Sequence, residues 1–294
     1  MPSLKDLRNR IDSVKSTKKI TQAMKMVAAS KLKKAQSLAE KSRSYSTGIK
    51  DIVKKLVHSE DQLEHPLIAK DKKDIKNSLV LVVSSDRGLC GGLNTNIIKK
   101  TRGLVAKLES ENKKVSIICL GKKGYDSLSV FNNENLDQDT KFINVSDIDY
   151  NSLQKIGSNI IENFYQERFS ECYILYNYFK SVISQEVKID RLLPYEKLSF
   201  QISQEEEEED IFYDFEPEVE EVIAKILPKN FIVQIYKSVL ESRASEQGAR
   251  MTAMDNATRN AGEMIDSLSL KYNRQRQAMI TKELIEIISG AEAL

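Results

Sequence analysis

The most regular pattern of hydrophobic and polar positions lies near the end of the chain, over residues 231–289. From residue 251 onward, two positions of a seven-residue repeat recur. The first holds Met251, Thr258, Ile265, Tyr272 and Met279, and the second holds Met254, Ala261, Leu268, Gln275 and Lys282. This spacing is typical of a coiled-coil seam. Because no proline follows Pro228, the segment predicts one uninterrupted helix that could approach about 90 Å in length.

A second helical pattern at the other end of the chain offers this seam a partner. Apolar residues first step by three and four, and after a polar break at residues 17–19 the stepping resumes. The apolar positions are Leu4, Leu7, Ile11, Val14, Ile20, Met24, Val27, Leu32 and Ala35. We predict a helix over residues 1–57 that pairs antiparallel with the C-terminal helix. Pairing with a second copy is the alternative, but two helices in one chain close at lower entropic cost.

Between the two helices, short apolar runs alternate with helical patterns. The run Leu79–Val83 is valine-rich, as expected for a buried parallel strand. It is followed by a glycine-rich turn at 84–94 and a helix over 95–110. Further strands are predicted at 115–120, 171–179 and 187–193, with a turn at 121–124 and a helix over 146–164. Alternating strands and helices indicate an inserted α/β domain of Rossmann-like type with a mostly parallel sheet.

These patterns divide the chain into four segments. Residues 1–57 form the N-terminal coiled-coil helix, 58–77 a polar linker, and 78–217 the central α/β domain. That domain ends in an acidic run at 205–210. Residues 218–294 form the C-terminal helical segment, in which 218–227 is a short helix that stops at Pro228 and the long helix begins after it.

The glycine-rich turn is the strongest candidate for chemistry. A strand, a glycine turn and a helix can aim backbone N–H groups at an anion. Neither a Gly-Lys-Ser/Thr sequence nor a GxGxxG pattern is present at 84–94, so a tight turn for close packing is favoured over phosphate binding.

Composition narrows the classes of function further. The net charge is only +2, but residues 1–50 hold 13 Lys/Arg against 3 Asp/Glu, while residues 205–221 hold 11 acids and no base. Cys90, Cys119 and Cys172 lie far apart, and His58 and His65 have no partner at catalytic or metal-ligand spacing. No apolar run of about 18 residues is present. We therefore expect no catalytic residue, no metal and no cofactor.

Four sequence blocks carry a resemblance to a known family. They are KITQAMKMVAAS at 19–30, SDRGLCGGLN at 85–94, RASEQ with MTAM at 243–254, and ITKELIEIISGA at 280–291. With these blocks, the chain resembles the gamma subunits of rotary F-type ATP synthases over essentially its whole length. The resemblance implies a non-catalytic central shaft of a proton-translocating ATP synthase, on the cytoplasmic face of a bacterial inner membrane and peripheral to it.

The resemblance also implies partners and contact residues. The two terminal helices would form a coil inside a ring of alpha and beta subunits, and the α/β insert would form a foot against the epsilon subunit and the membrane rotor ring of c subunits. By similarity, Met24 and Lys25 face one beta subunit, and Arg276, Gln277 and Thr281 face another. Tyr213, Phe215 and Glu216 are implied to lie near the rotor ring and epsilon.

Two alternatives stay open at this point. The chain could be a nucleotide-handling α/β enzyme with a coiled-coil arm, using residues 84–94 as its phosphate loop. The apolar arc formed by Ile280, Leu284, Ile285, Ile287 and Ile288 is wider than one partner helix would cover, which favours a bearing surface. The alternative for that arc is a helix end buried on its own domain.

Overall fold

The computed structural model describes residues 3–59, 65–68, 75–131, 133–136, 143–195 and 219–292. The helices are α1 (Leu4–Ser59), α2 (Leu93–Ser110), α3 (Lys122–Phe131), α4 (Tyr150–Tyr165) and α5 (Val219–Glu292), and the strands are β1 (Asn77–Val83), β2 (Lys114–Leu120), β3 (Glu171–Phe179) and β4 (Gln185–Leu193). The chain divides into two compact units. The coil unit comprises Met1–Ser30 and Arg250–Leu294, and the sheet unit comprises Lys31–Ala249.

The sheet unit is built on four strands in the order β2-β1-β3-β4. β1 pairs in parallel with both β2 and β3, while β4 pairs antiparallel with β3. The predicted α/β class with a mostly parallel sheet is confirmed. The sheet unit also includes parts of both long helices, because Val53 of α1 and Phe231 of α5 lie in the same core as the sheet.

The two faces of β1 bury alternate residues in different cores, as a strand period of two requires. Val80 and Val82 pack with Ile97 and Val105 of α2. The opposite face packs against α1, α4 and α5, where the buried residues include Leu79, Leu81, Val83, Leu153, Phe164, Phe231 and Val239.

In the coil unit, the two terminal helices pair with each other within one chain, as predicted. Leu7 and Ile11 of α1 form a buried cluster with Leu268 of α5. Further along, Thr258 donates a hydrogen bond to Thr21 over 2.8 Å. Since the α5 partners fall in number as the α1 residues rise, the helices run antiparallel.

The register of α1 in this coil differs from the prediction. Ile20 and Val27, predicted as seam residues, are 61% and 56% exposed. The heptad begun by Leu4 and Leu7 instead continues without a break through Lys18, Thr21, Lys25 and Ala28. Polar residues can hold these positions because α5 supplies matching polar partners, such as Thr258 and Asp255.

Three further elements differ from expectation. The predicted stop at Pro228 is wrong, since α5 runs from Val219 through this proline. Burial of Ile223, Leu227 and Phe231 on both sides of Pro228 compensates for the lost N–H bond. The turn predicted at 121–124 is wrong beyond Gly121, because helix α3 begins at Lys122. Helix α4 begins at Tyr150 and not at residue 146, because the Asp149 side chain caps it.

Candidate subunit-contact surfaces

The C-terminal end of α5 carries an apolar surface that the described residues leave uncovered. Every residue from Arg276 to Ala291 is exposed. The large apolar side chains among them, which we call the terminal apolar surface, are Met279 at 44%, Ile280 at 48%, Leu284 at 53%, Ile285 at 58%, Ile287 at 68% and Ile288 at 60% exposure. Among the described residues, none buries this helix end. Exposed apolar patches of this kind mark sites of protein association.

The predicted polar contact residues begin where the seam of α5 ends. Leu268 is buried and Gln275 is half-buried, but Arg276, Gln277 and Thr281 are exposed. The Thr281 hydroxyl donates to the Gln277 carbonyl oxygen over 2.9 Å, a bond within the helix. Within the described residues, the side chains of Arg276 and Gln277 have no hydrogen-bond or ion-pair partner, so both are available to another chain.

Met24 and Lys25 lie at the middle of the coil. The Lys25 ammonium pairs with Asp255 at 2.6 Å, and both side chains remain partly exposed. This hydrogen bond lowers the pKa of Asp255 below its ordinary value. Met24 is half-buried and shares one helix face with exposed Ile20 and Val27 at spacings of three and four. The stripe that sequence reasoning assigned to the seam is thus a second apolar surface, which we call the α1 stripe.

The remaining predicted contact residues, Tyr213, Phe215 and Glu216, lie outside the residues that the structure describes, as does the acidic run at 205–210.

The glycine-rich turn after β1 is held closed by its own side chains. The Asn94 amide donates to the Ser85 hydroxyl at 2.8 Å, and the Ser85 hydroxyl donates to the Arg87 carbonyl oxygen at 2.6 Å. The Asp86 carboxylate accepts hydrogen bonds from the backbone N–H groups of Val145 and Ser146 at 3.1 and 2.8 Å. These polar groups are used within the protein. Gly91 has a φ of 60°, as a tight turn allows, but a Cβ at Gly88 or Gly91 would lie in open space, so the close packing predicted for these glycines is not found.

The segment that follows β2 requires glycine at Gly121 and Gly124, which the sequence alone did not indicate. The Ser84 hydroxyl accepts a hydrogen bond from the Gly124 N–H at 2.8 Å, and a Cβ at Gly124 would lie 2.6 Å from that oxygen. Gly121 has a φ of 113°. Ser84 can therefore join β1 to the start of α3 only because glycines allow the close approach.

The remaining candidate groups for chemistry are the metal-ligating side chains and the cysteines. Within the described ranges, His, Cys, Asp and Glu form no group that could hold a metal ion. All three cysteines are free and buried, and burial raises the pKa of the Cys119 thiol to about 12. In the same part of the chain, no helix is both long and apolar enough to cross a membrane.

An antiparallel coil of two terminal helices, an inserted α/β domain and apolar surfaces that the described residues leave uncovered define a class of protein: a stalk or coupling subunit. Comparison with known proteins agrees. The family described as ATP synthase matches residues 3–294. The chain is 49% identical to the ATP synthase gamma chain of Pelagibacter ubique and 47% identical to that of Rhodospirillum rubrum, with 100% of each chain covered.

Solved structures show the same fold. The chain matches one from the central stalk and c-ring of the Tetrahymena thermophila mitochondrial ATP synthase, with a TM-score of 0.62 and 27% identity over 81% of this chain and 99% of that one. A Euglena gracilis mitochondrial ATP synthase chain matches with a TM-score of 0.68 and 21% identity over 99% and 94%. The chain belongs to the ATP synthase gamma chain family, as a non-catalytic subunit of the central stalk. The nucleotide-handling enzyme is thereby excluded.

Proposed function

We propose that this chain is the rotating central shaft that couples ion flow through a membrane rotor ring to ATP synthesis and hydrolysis in a ring of alpha and beta subunits. The observation that carries the proposal is the terminal apolar surface, which the described part of the chain leaves uncovered. Six large apolar side chains exposed together on one helix end indicate a surface that another protein covers. An apolar surface suits a bearing, because hydrophobic contact is non-directional and persists as one surface turns against another.

The coil also supplies the asymmetry that such a mechanism needs. Two antiparallel helices have no threefold symmetry, so three identical sites around them meet three different faces. Where Thr21 contacts Thr258, the sides of the coil differ in chemistry: exposed residues of α1 include apolar Ile20 and Val27, whereas those of α5 are Asn256, Arg259 and Asn260. Each turn of the shaft would therefore stabilise a different conformation at each site, since differential contacts shift populations.

Individual contacts follow from this arrangement. We assign Arg276, Gln277 and Thr281 to one beta subunit, where the planar guanidinium of Arg276 can form a bidentate pair with a carboxylate. Met24, with the α1 stripe, faces another beta subunit. Lys25 belongs to the same surface, although its ammonium group also pairs with Asp255 within the chain.

The α/β domain is proposed as the foot of the shaft, with segment bounds of 78–217. One related structure is that of a central stalk and c-ring. Tyr213, Phe215 and Glu216 are assigned to the rotor ring and the epsilon subunit, next to the acidic run at 205–210. The subunit would then lie at the cytoplasmic face of a bacterial membrane, peripheral to it, as expected for a relative of bacterial gamma chains.

The test is a double replacement, Arg276→Ala with Gln277→Ala, in the assembled complex. Because a contact made at only some rotational angles changes the barriers between states, we expect steady ATP turnover to change while gel filtration shows intact assembly. A variant with Arg276→Lys in place of Arg276→Ala should return turnover only part of the way to the wild-type rate, since an ammonium group lacks the planar fork of a guanidinium.

Lys282→Ala is the matched control. Lys282 is equally exposed, lies one to two turns further along α5 on the opposite side of the helix, and pairs only with Glu286 among the described residues. Unchanged turnover in the double variant, with assembly intact, would show that Arg276 and Gln277 are solvated surface and would contradict the contact assignment.

A further inference from the structure

The edge of β3 that faces β1 is completed by side chains and not by a strand. The pairing of β1 with β3 ends at Leu175. Beyond it, the Asn177 N–H donates to the Ser242 hydroxyl at 3.0 Å, and the Asn177 carbonyl oxygen accepts from the Ser245 hydroxyl at 2.9 Å. Asn177, Ser242 and Ser245 are all buried. One face of α5 therefore takes the place of a missing strand.

An ion pair between buried Glu241 and Arg43, whose side chain is 33% exposed, continues this arrangement to the end of β3. Glu241 is fully buried and accepts a hydrogen bond from the Phe179 N–H at 3.1 Å. Arg43 of α1 donates to the Phe179 carbonyl oxygen and to Glu241, each at 2.8 Å, and its Nε also contacts Glu241. The Arg43 guanidinium lies 4.7 Å from the centre of the Tyr178 ring. Both long helices are thus hydrogen-bonded to the same residue of the sheet.

Stability alone does not explain this pair. Burying the Glu241 carboxylate costs desolvation free energy that offsets its attraction to Arg43, so such a pair often contributes no more than well-packed apolar residues of similar volume. Apolar packing is already available here, since Val239 and Ile235 on the same stretch of α5 are fully buried. Apolar contacts are non-directional, whereas hydrogen bonds fix a helix against rotation about its axis and against sliding.

We propose that Arg43, Phe179, Glu241, Ser242 and Ser245, which we call the clasp, transmit torque between the sheet and the two helices α1 and α5. The proposal rests on the proposed shaft function. It identifies the residues in the sheet unit through which β3, part of the foot, is bonded to the two helices of the shaft. The clasp also gives a role to the sequence around residues 243–247. Arg243, next to it, donates to the carbonyl oxygens of Val145 and Ile148, which holds α5 to the segment before α4.

The experiment uses the assembled ATP synthase in sealed vesicles, with ATP hydrolysis and ATP-driven ion transport measured on the same preparation. The first variant combines Arg43→Met with Glu241→Leu, which removes both charges together and so avoids leaving the buried Glu241 carboxylate unpaired. The second combines Ser242→Ala with Ser245→Ala, which removes only two hydroxyl groups. The control combines Glu221→Leu with Lys225→Met, an exposed ion pair on the same helix.

We expect both clasp variants to keep hydrolysing ATP but to transport fewer ions per ATP hydrolysed, while the control keeps the wild-type ratio. A purely structural role would lower hydrolysis and transport in proportion, and an unchanged ratio in both clasp variants would overturn the proposal. If the first variant does not assemble, the serine variant decides alone. Failure of the shaft function would appear differently, as hydrolysis that is not coupled to ion transport in the wild-type complex itself.

Discussion

The two compact units hold the same helix α5 in different ways. In the sheet unit, no residue from Asn230 to Ala249 is exposed. In the coil unit, the buried residues of α5 between 250 and 291 are Met254, Ala261 and Leu268, one residue in seven, with half-buried residues between them. The first environment is a protein core, and the second is a narrow two-helix seam.

The two units therefore have different roles: the sheet unit holds α5 in place, and the coil unit leaves much of its surface exposed to other subunits. Where α5 is surrounded on all sides, it can be gripped by directional bonds such as those to Glu241. Where only a seam is covered, most of its circumference is left for other subunits, and after Gln275 no side is covered by the described residues. A shaft must be held firmly at one end and must expose contact surfaces at the other. Helix α5 does both, because its buried face is wide between residues 230 and 249 and narrow from residue 250 onward.

The comparison predicts that the largest single loss of stability comes from the sheet unit. Phe231 is fully buried in the core shared by the sheet, α4 and α5. Phe231→Ala should lower the free energy of unfolding by about 3–5 kcal/mol, through lost transfer energy and a residual cavity. Urea unfolding of the full chain followed by circular dichroism measures this.

Tyr45→Ala provides the control, because this aromatic residue of α1 is 53% exposed. If the two variants unfolded at the same urea concentration, the assignment of Phe231 to the core would be contradicted.

A smaller effect is expected for the seam of the coil unit. Leu268 is 8% exposed and Leu270, two residues further on the same helix, is 63% exposed. Leu268→Asp should cost about 2 kcal/mol, less than a change in the main core because the carboxylate lies near solvent. Hydrogen exchange measured over residues 250–275 should accelerate in Leu268→Asp and not in Leu270→Asp. Equal protection in both variants would show that the register described here is wrong.

Much of this fold could be predicted from the sequence because its hydrophobic periods are long and regular. The strand at 171–179 is observed with the same bounds. The heptad of α5 is confirmed from Met251 to Gln275, but its last two predicted positions, Met279 and Lys282, are exposed and not part of the seam. The α1 register was missed because Ile20 and Val27 are more apolar than Lys18 and Lys25. Hydrophobicity alone cannot show that Thr258 hydrogen-bonds to Thr21 across the coil, or that Asp255 pairs with Lys25.

The clasp and the Ser84 contacts could not be predicted from the sequence either. Arg43 and Glu241 are separated by 198 residues, and neither belongs to a hydrophobic pattern. Their pairing depends on the point at which β3 extends beyond its last pair with β1. That point is set by the strand register of the folded sheet. Pro228 was misleading for a related reason, because the core around Phe231 outweighs the local cost of a proline.

The smallest predicted effect concerns Lys25 and Asp255 in the coil unit. Their ion pair is partly exposed, so its contribution to stability is small and falls with added salt. The hydrogen bond from Lys25 lowers the pKa of Asp255 from its ordinary value of 3.8. A group whose pKa is lowered by folding stabilises the protein above its ordinary pKa, and this stabilisation disappears as the pH falls through the lowered value.

Asp255→Asn should therefore lower the melting temperature of the full chain slightly near neutral pH at low salt, and the difference from wild type should vanish as the pH falls below the range in which Asp255 ionises. Asp266→Asn, on the same helix, is the control, since Asp266 is exposed and has no ion pair within the described residues. The same comparison at high salt should reduce the difference at neutral pH. A difference that persisted unchanged in acid would mean that Asp255 acts through packing or helix propensity, because protonation would leave such contributions in place.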